Sequence, residues 1–499
     1  VRRAGRATCR RRTVAACAAV AIGTPGAAKA SPLFDLTGGI DGPGVLQPGT
    51  IGGGASAAYF NPALLGKASP GLTIGVMTVG EQIGISLAGR PGTSFSIPAG
   101  VSNAAHADGS ALSSIPLPTA QLQATHPRQG AGTGHETFFY EAAGFVAKMF
   151  DDRLALGFYG IVPDGNFTNL TAFYDDEREQ YFTNSLHPEL YADRLTAISV
   201  AAGLGYKVSD MLSVGLGASL ALRAGVGAPT YVSNAGDLQH LLIDTNANVN
   251  VALAPNLGVS FEPSARWHFT GTVHAPEKMQ LDVGFTFLLA NGVQQGSTFP
   301  LVYDYMPWQI GAGAAYDIIQ EPGETLTVAG TAVYGKWSDY LDRHGDAPIA
   351  QYGWYDTLTP TVGVRYTRGE TTWAIDAQYK PTPVPPQTGR TNYVDNDRLG
   401  FGGGVNYAFT MGHTSLRVGA QAQAYWLLPR YQWKLPTPPE PDGQNHYPAL
   451  VIDELPDDSE INGEPIAGAS GLQTNNPGWP GFGSEGVVVA GGLFLTVIQ

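Results

Sequence analysis

Nowhere in these 499 residues is there a run of eighteen apolar side chains, so membrane-crossing helices are excluded. Cysteine is almost missing, and the only two, Cys9 and Cys17, both fall in the leading segment. Beyond that segment neither disulfides nor thiol-bound metals can form. Basic residues are scarce as well: past residue 30 there are 21 Lys and Arg against 42 Asp and Glu. An acidic excess argues against nucleic acid, whose phosphates call for clustered cations. Catalytic signatures are lacking too, with no H-E-x-x-H and no G-x-S-x-G elbow. The ten His are scattered without ligand spacing. Gly481-Phe482-Gly483-Ser484-Glu485-Gly486 satisfies G-x-G-x-x-G, but a loop precedes it and a strand follows, so the dinucleotide context is absent. The chain therefore reads as a non-enzyme with no catalytic residue, no metal and no cofactor. A hydrolase whose catalytic groups converge from separate strands would escape such a search.

What is present begins with a leader. Arg2, Arg3, Arg6 and Arg10–Arg12 precede a short apolar run, Val14–Gly23, and Ala28-Lys29-Ala30 fits a small-residue cleavage pattern. A secretory signal over 1–30, cut before Ser31, is the expectation. Val14-Ala15-Ala16-Cys17 also resembles a lipoprotein box, although only a short apolar stretch precedes its cysteine. Residues 31–70 are rich in Gly, Ala and Pro and lack alternation. From residue 71 onward one unit repeats: a long alternating stretch, then a tight turn or a long loop. In Leu212–Arg223, Leu212, Val214, Leu216, Ala218, Leu220 and Leu222 fall on one face, and Ser213, Gly215, Gly217, Ser219, Ala221 and Arg223 on the other. Successive side chains of a strand point to opposite faces, so this is a ribbon with one oily side. About ten tilted residues cross a bilayer core, whereas strands in soluble sheets run to about five or six. Gly is abundant, at 65 residues, which suits narrow inner faces. A barrel satisfies every backbone group and has no open edge.

The pattern predicts strands over 72–87, 138–150, 153–162, 195–208, 212–223, 249–261 and 267–289, the last interrupted by Pro276. It then predicts 309–318, 326–337, 358–366, 373–379, 399–409, 416–426 and 487–497, fourteen in all. Ile198, Val200, Leu204 and Tyr206 are expected to face outward. Short turns near Asp152, Asp210, Ser264, Glu321, Gly369 and Gly412 alternate with longer loops, the pattern of bacterial outer-membrane barrels. Tyr206, Tyr316, Tyr366, Tyr407 and Phe409 each lie just before a short turn, where an aromatic girdle sits. The fold expected is all-β: a 14-stranded antiparallel transmembrane barrel over 71–499, with residues 31–70 as a hatch plugging its lumen.

Several blocks carry a resemblance. Ala58-Tyr59-Phe60-Asn61-Pro62-Ala63-Leu64 precedes the first strand, and Met306-Pro307 precedes a strand carrying Gly311 and Gly313. Trp337-Ser338-Asp339-Tyr340 follows the next strand, and Pro383-Val384-Pro385, Asp395-Asn396-Asp397-Arg398 and a glycine-rich strand follow in order. These resemble the FadL family of outer-membrane long-chain fatty acid transporters over most of the chain. The terminal Val497-Ile498-Gln499 departs from the final aromatic common in such barrels, and the loops at 91–136 and 431–484 have no counterpart in the resemblance.

The resemblance implies passive uptake of a long-chain fatty acid or a similar hydrophobic molecule, with capture on extracellular loops. Leu238, Leu241 and Leu242 form an apolar stripe at helical spacing in the third long loop, and Phe285, Phe287, Leu288, Leu289 and Phe299 cluster around the fourth. These side chains either line an external groove or pack the two loops together. The family implies hatch gating around Asn61, Pro62 and Ala63, and lateral opening in the third strand, where Gly157 and Gly160 permit a bend or simply fill a narrow lumen. Arg398, Arg417 and Arg223 face the lumen by parity, either to meet a carboxylate head group or to pair with acids. Asp175-Asp176-Glu177 and Asp457-Asp458-Ser459-Glu460 are solvated loop, or bind divalent cations and bridge to lipopolysaccharide. The partners expected are the hydrophobic ligand, outer-membrane lipid and lipopolysaccharide, with no nucleic acid and a monomeric barrel. A structural or adhesive outer-membrane barrel is the alternative. A general porin would need an open bore.

Overall fold

The structure, a computed structural model, describes residues 32–40, 45–87, 104–106, 131–164, 187–188, 195, 197–222, 227–232, 241–250, 252–288, 294–341, 347, 353–387, 393–433, 459–461, 464–465 and 481–498. Fourteen strands close into an antiparallel barrel. In chain order they are β1 (Gly71–Leu87), β2 (Ala131–Met149), β3 (Leu154–Pro163), β4 (Ile198–Lys207), β5 (Leu212–Leu222), β6 (Ala252–Phe261) and β7 (Trp267–His274). The second half comprises β8 (Gln309–Glu321), β9 (Glu324–Gly335), β10 (Thr357–Arg368), β11 (Thr371–Lys380), β12 (Arg398–Met411), β13 (Thr414–Trp433) and β14 (Gly481–Ile498). Each strand pairs with its neighbours in the chain, and β14 pairs with β1 to remove the last open edge.

Alternation sets the two surfaces of the wall. Ile375 is 72 % exposed, Leu493 63 % and Val362 61 %, while inward Ala374, Asp376, Phe494 and Thr361 beside them are buried. Leaving side chains of this size in water forfeits about 1.5–3 kcal/mol each, so the skin belongs in hydrocarbon. Leu204 and Tyr206 face outward at 43 % and 45 % exposure, as alternation predicts. At the end bearing the short turns, Trp267 packs on Phe269 and Tyr316, Tyr366 stacks on Trp373, and Tyr407 stacks on Phe409. The girdle therefore contains Trp267 and Trp373 as well as the tyrosines expected. A closed barrel with this skin is an outer-membrane protein.

Two differences from the expected strands have plain causes. Residues 267–289 are not one strand. Pro276 follows β7, and Glu277–Leu288 pairs instead in a separate four-stranded sheet with Gly227–Val232, Leu241–Asn250 and Gln294–Met306. Proline lacks the donor a ladder needs, so the wall ends there. β2, β13 and β14 run past their expected ends, and Gly481–Gly486 lies inside β14, which pairs with β13 through a register shift at Leu427/Arg430. Pro429 sits within that shift, where proline is tolerated.

The core lies inside the cylinder. Leu33, Phe34, Ile40, Tyr59 and Leu65 of the N-terminal segment are 0–1 % exposed, together with inward Val79, Ile83, Tyr159 and Phe482 of the wall. The segment holds short helices at Pro32–Thr37, Pro48–Ile51 and Ala57–Phe60 and a 3-10 turn at Pro62–Gly66. It bonds to strands on every side: Lys148 Nζ of β2 donates to Gly66 O at 2.8 Å, and Tyr159 OH of β3 donates to Gly38 O at 3.0 Å. From the far wall, Gln421 Nε2 of β13 donates to Thr37 O at 3.0 Å and Arg365 of β10 donates to Ile51 O. Only a segment within the bore reaches all of these.

Candidate functional site

The lower lumen, beside the short turns, is closed by a tight seat. Asn61 is extended and buried, and its Oδ1 accepts from Ala63 N at 3.2 Å, capping the turn that Pro62 begins. Its Nδ2 donates to Gly49 O at 2.9 Å and to Val259 O of β6 at 3.4 Å. One side chain thus joins the two arms of the segment to the wall. Side chains are absent where the turn meets β5 and β6: a Cβ on Gly215 would collide with Pro62 and Ala63, and one on Gly258 with Asn61. Beneath, Lys67 Nζ donates to Ser260 Oγ at 2.7 Å and pairs with Glu262 at 2.6 Å. His268 bridges Glu262 at 2.7 Å and Asp317 at 3.2 Å. Hydrogen bonds from His268 and Lys67 hold the Glu262 carboxyl down at about 2, against the opposing effect of burial.

Above the seat the packing opens. Asp376 of β11 accepts from Leu46 N and from Gln47 Nε2, each at 3.0 Å. Thr331 Oγ1 donates to Gln47 Oε1 at 2.9 Å, and Thr50 Oγ1 lies 2.8 Å from Thr331 Oγ1 and accepts from Thr270 Oγ1 at 3.2 Å. Over this network lies a cavity of about 130 Å³ between the segment and the upper ends of β7–β11. Thr270, Thr272, Thr357, Thr359, Gln309 and Gln378 bring hydroxyl and amide groups to a mainly apolar wall, with Tyr59, Phe60 and Trp337 supplying rings and Lys380 a charge. Asp35 also lines it and accepts from Tyr59 OH and Gln309 Nε2, each at 3.0 Å.

Arg398, the expected ligand contact, is inward and 4 % exposed. Its NH2 stands 3.6 Å from Asp395 Oδ1, and it sits opposite Lys380 in register without lining the cavity. Lys380 is the cation that sequence reading missed. It ends β11 at an inward position, and parity alone could have found it. Beside the cavity Tyr340 stacks on Trp354 with centroids 3.6 Å apart, and Trp337, Tyr305 and Tyr393 complete a ring cluster. These residues come from the Trp-Ser-x-aromatic block, from the connections that follow it and, for Tyr305, from the strand Gln294–Met306 before it, which explains why that block is aromatic.

The expected capture residues lie on the four-stranded sheet. The helical stripe is not formed: Leu241 and Leu242 belong to the strand Leu241–Asn250, and Leu238 lies outside the described residues. Alternating Asp, Asn and apolar positions over 241–250 suit a two-faced strand better than a helix. That strand pairs with Glu277–Leu288, so the third and fourth long connections join in one sheet. Register places Leu241 and Ile243 on the same face as Val283, Phe285, Phe287 and Phe299. Leu242 and Leu288 fall opposite each other on the other face, among Asp244, Asn246 and Asn248.

Gly157 faces inward against Leu65, where a Cβ would collide, whereas Gly160 faces outward beside Phe158 and Val200. β3 keeps continuous ladders to β2 and β4 through both glycines. The acidic run 175–177, Arg223 and Leu289 lie outside the described residues, as do Asp457 and Asp458.

No family model matches the chain, and no curated protein sequence matches it. Solved structures do. A FadL homologue from Pseudomonas aeruginosa superposes with a TM-score of 0.52 at 15 % identity, covering 95 % of this chain and 98 % of that one. The P. putida toluene transporter TodX gives 0.44 at 12 %, covering 92 % and 99 %. The Ralstonia pickettii toluene transporter TbuX gives 0.39 at 12 %, covering 93 % and 98 %. The first of these shows that the chain has the FadL fold.

Proposed function

We propose that this protein is a passive outer-membrane transporter that takes up hydrophobic small molecules. The observation that carries the reading is the filled lumen: residues 32–40 and 45–70 occupy the bore and leave only a small cavity above a tight seat. An unobstructed channel for hydrophilic solutes would have no use for that arrangement. Long-chain fatty acids are the cargo the sequence resemblance implies. An apolar ligand gains about 0.8 kcal/mol for each methylene withdrawn from water, so capture and passage need no external energy source.

In this reading the apolar face bearing Leu241, Phe285, Phe287 and Phe299 collects the ligand, and the chamber receives it. A shift of the Asn61-Pro62-Ala63 turn then opens the way past the seat. Exit runs sideways at β3, where Gly157 and Gly160 weaken the strand. Outside that strand Ile74, Val76, Ala143, Phe158, Gly160 and Val200 line a hollow that could receive the cargo into lipid. The ladders of β3 have to part for this step.

A disulfide tests the gate. A Cβ on Gly66 would lie 3.8 Å from Ser213 Cβ, within the span a disulfide needs. In the protein carrying Gly66→Cys and Ser213→Cys, oxidation is expected to stop uptake of a labelled fatty acid into proteoliposomes, and reduction to restore it. Equal uptake by the oxidised and reduced forms would remove hatch gating. Lack of uptake in the unmodified protein would favour a structural or adhesive barrel.

A further inference from the structure

The wall of the barrel is not of one height. β1, β2, β13 and β14 run to 17, 19, 20 and 18 residues, whereas the other ten strands have 8 to 14. The surplus lies at the end bearing the long connections. There the oily skin stops. On β1, exposed Leu72, Ile74 and Val76 give way to exposed Thr78, Gln82 and Ser86, and on β14 Leu493 and Val489 give way to exposed Glu485. Trp426 of β13 is exposed and pairs with Val487, at the same boundary. Trp433 stands roughly 15 Å above Trp426, at about 3.3 Å per residue and a strand tilt of about 40°. The upper wall therefore rises out of the hydrocarbon and into the layer of lipid headgroups.

Two rings stand on this upper wall because a bulge turns them out. Up to Leu427 the odd-numbered residues of β13 face the lumen: Tyr425 and Leu427 are both buried. The register shift between Leu427 and Arg430 inserts one residue and reverses that sense. Gln432 is then buried, and Tyr431 and Trp433 face outward at 54 % and 60 % exposure. Opposite them on β14 are Gly483 and Gly481, where a Cβ would come 3.1 Å from the Tyr431 ring and 3.2 Å from the Trp433 ring. The first two glycines of Gly481-Phe482-Gly483-Ser484-Glu485-Gly486 thus let the rings lie against the sheet, which accounts for a spacing that no dinucleotide site explains. The ring centroids are 5.8 Å apart and the planes 69° apart, so the pair forms an open corner. Ser86, Gly483 and Tyr431 stand in one row, with Glu485 just below, so a hydroxyl and a carboxylate flank the rings.

Exposed rings beside such groups suit a saccharide. Its C–H faces sit on the electron-rich ring faces, while its hydroxyls reach the polar side chains. Hydrocarbon cargo would gain nothing from Ser86 and Glu485, and the corner is on the outside of the wall, away from the lumen. At this height beside an outer-membrane barrel, the neighbouring molecule is the sugar headgroup of lipopolysaccharide.

We infer that Tyr431 and Trp433 form a docking site for the core sugars of lipopolysaccharide, holding one headgroup against the tall side of the barrel. This requires the barrel to sit in the outer membrane and is independent of whether it transports. Binding of two lipopolysaccharides to the refolded full chain in detergent tests it, one carrying its core oligosaccharide and one trimmed to lipid A. The form with core sugars is expected to bind at least about tenfold more tightly, the scale of two ring contacts. Tyr431→Ala combined with Trp433→Ala should abolish that difference and leave lipid A binding unchanged, while Trp433→Phe, which keeps a ring, should retain most of it. On the unmodified protein, magnetic saturation of the aromatic protons should pass to the C–H protons of lipid-free core oligosaccharide, a reading that stands if the double variant does not fold. Equal affinity for the two forms, a difference indifferent to the rings, or no saturation transfer overturns the site. Loss of fatty acid uptake, or of a dimer, on removing the rings with lipopolysaccharide binding unchanged also overturns it, and assigns the corner to cargo or to a second copy.

Discussion

The two halves of the lumen are packed by opposite means. Near the short turns, backbone meets backbone, because Gly215 and Gly258 carry no side chain to hold Pro62 and Asn61 away. Near the long connections, the segment stands off from the wall and touches it through the tips of Asp376, Thr331, Thr270 and Gln309, leaving the chamber between. Contact through backbone is rigid and dry, whereas contact through polar tips can be exchanged for a ligand's own groups. In the proposed transport reading the lower half acts as a stop and the upper half as a receptacle.

The largest effect should come from filling the seat. Gly215→Val puts a branched side chain where Pro62 and Ala63 lie, and a close-packed interior does not absorb such an intrusion. The barrel is expected to fold and the segment to leave its seat, so that ion conductance appears in planar bilayers where the unmodified protein is silent. A silent Gly215→Val protein would mean that the lower half is as adaptable as the upper.

In the upper half Asp376 is the test. Its carboxylate takes both Leu46 N and Gln47 Nε2, and Asp376→Ala leaves those buried donors without an acceptor. Such a loss costs about 1–3 kcal/mol. Protease cleavage within residues 32–60 should accelerate, with the barrel itself still resistant. No change in cleavage would show that the polar tips are dispensable and that Asn61 alone positions the segment.

The same contrast explains what the sequence made readable. Wall strands are long and each repeats one face, so all fourteen and the inward or outward sense of Leu204, Tyr206 and Arg398 follow from alternation. Gly215 and Gly217 were visible as small inner-face residues, but nothing local says which backbone they admit. The chamber depends on Lys380, Gln309 and Thr270, which meet only when distant strands close. The outer sheet was misread for a related reason. Leu238, Leu241 and Leu242 fit helical spacing over one short window, and pairing with Glu277–Leu288 was decided by a partner far along the chain. That pairing now separates two leucines. Leu241→Asp, on the face with Phe285 and Phe287, should weaken ligand capture several-fold more than Leu242→Asp, and equal effects would remove the apolar face from the uptake route.

Acid should loosen the lower half through Glu262. Glu262 titrates near 2 in the folded protein, below the ordinary carboxylate value of 4.5, because His268 and Lys67 bond to its charged form. A carboxyl lowered by folding contributes its stability above the unfolded value and loses it as pH falls through the folded one. The Lys67 tie should therefore be intact above about pH 4.5 and weaken progressively toward about pH 2. Cleavage after Lys67 by an acid-stable protease should rise over that window, and Glu262→Gln should show raised cleavage at neutral pH with little further response. A pH-independent rate in the unmodified protein would mean that the glycine seat holds the segment without help.

The smallest expected effect comes from the turn between β2 and β3, where the lower end is strained rather than relaxed. Phe150, Asp151 and Asp152 have φ values of 52°, 56° and 63°, three successive left-handed residues with no glycine among them. Aspartate tolerates this region through local hydrogen bonding, but phenylalanine has no such compensation and incurs about 1–2 kcal/mol. Its ring is 77 % exposed, so little protein packing is lost on removal. Phe150→Gly should therefore raise resistance to urea by up to about 1 kcal/mol, with glycine's greater freedom in the unfolded chain taking back part of the gain. Destabilisation instead would show that the exposed ring anchors this edge in the membrane interface, as the neighbouring girdle does, and that strain is tolerated there to place it.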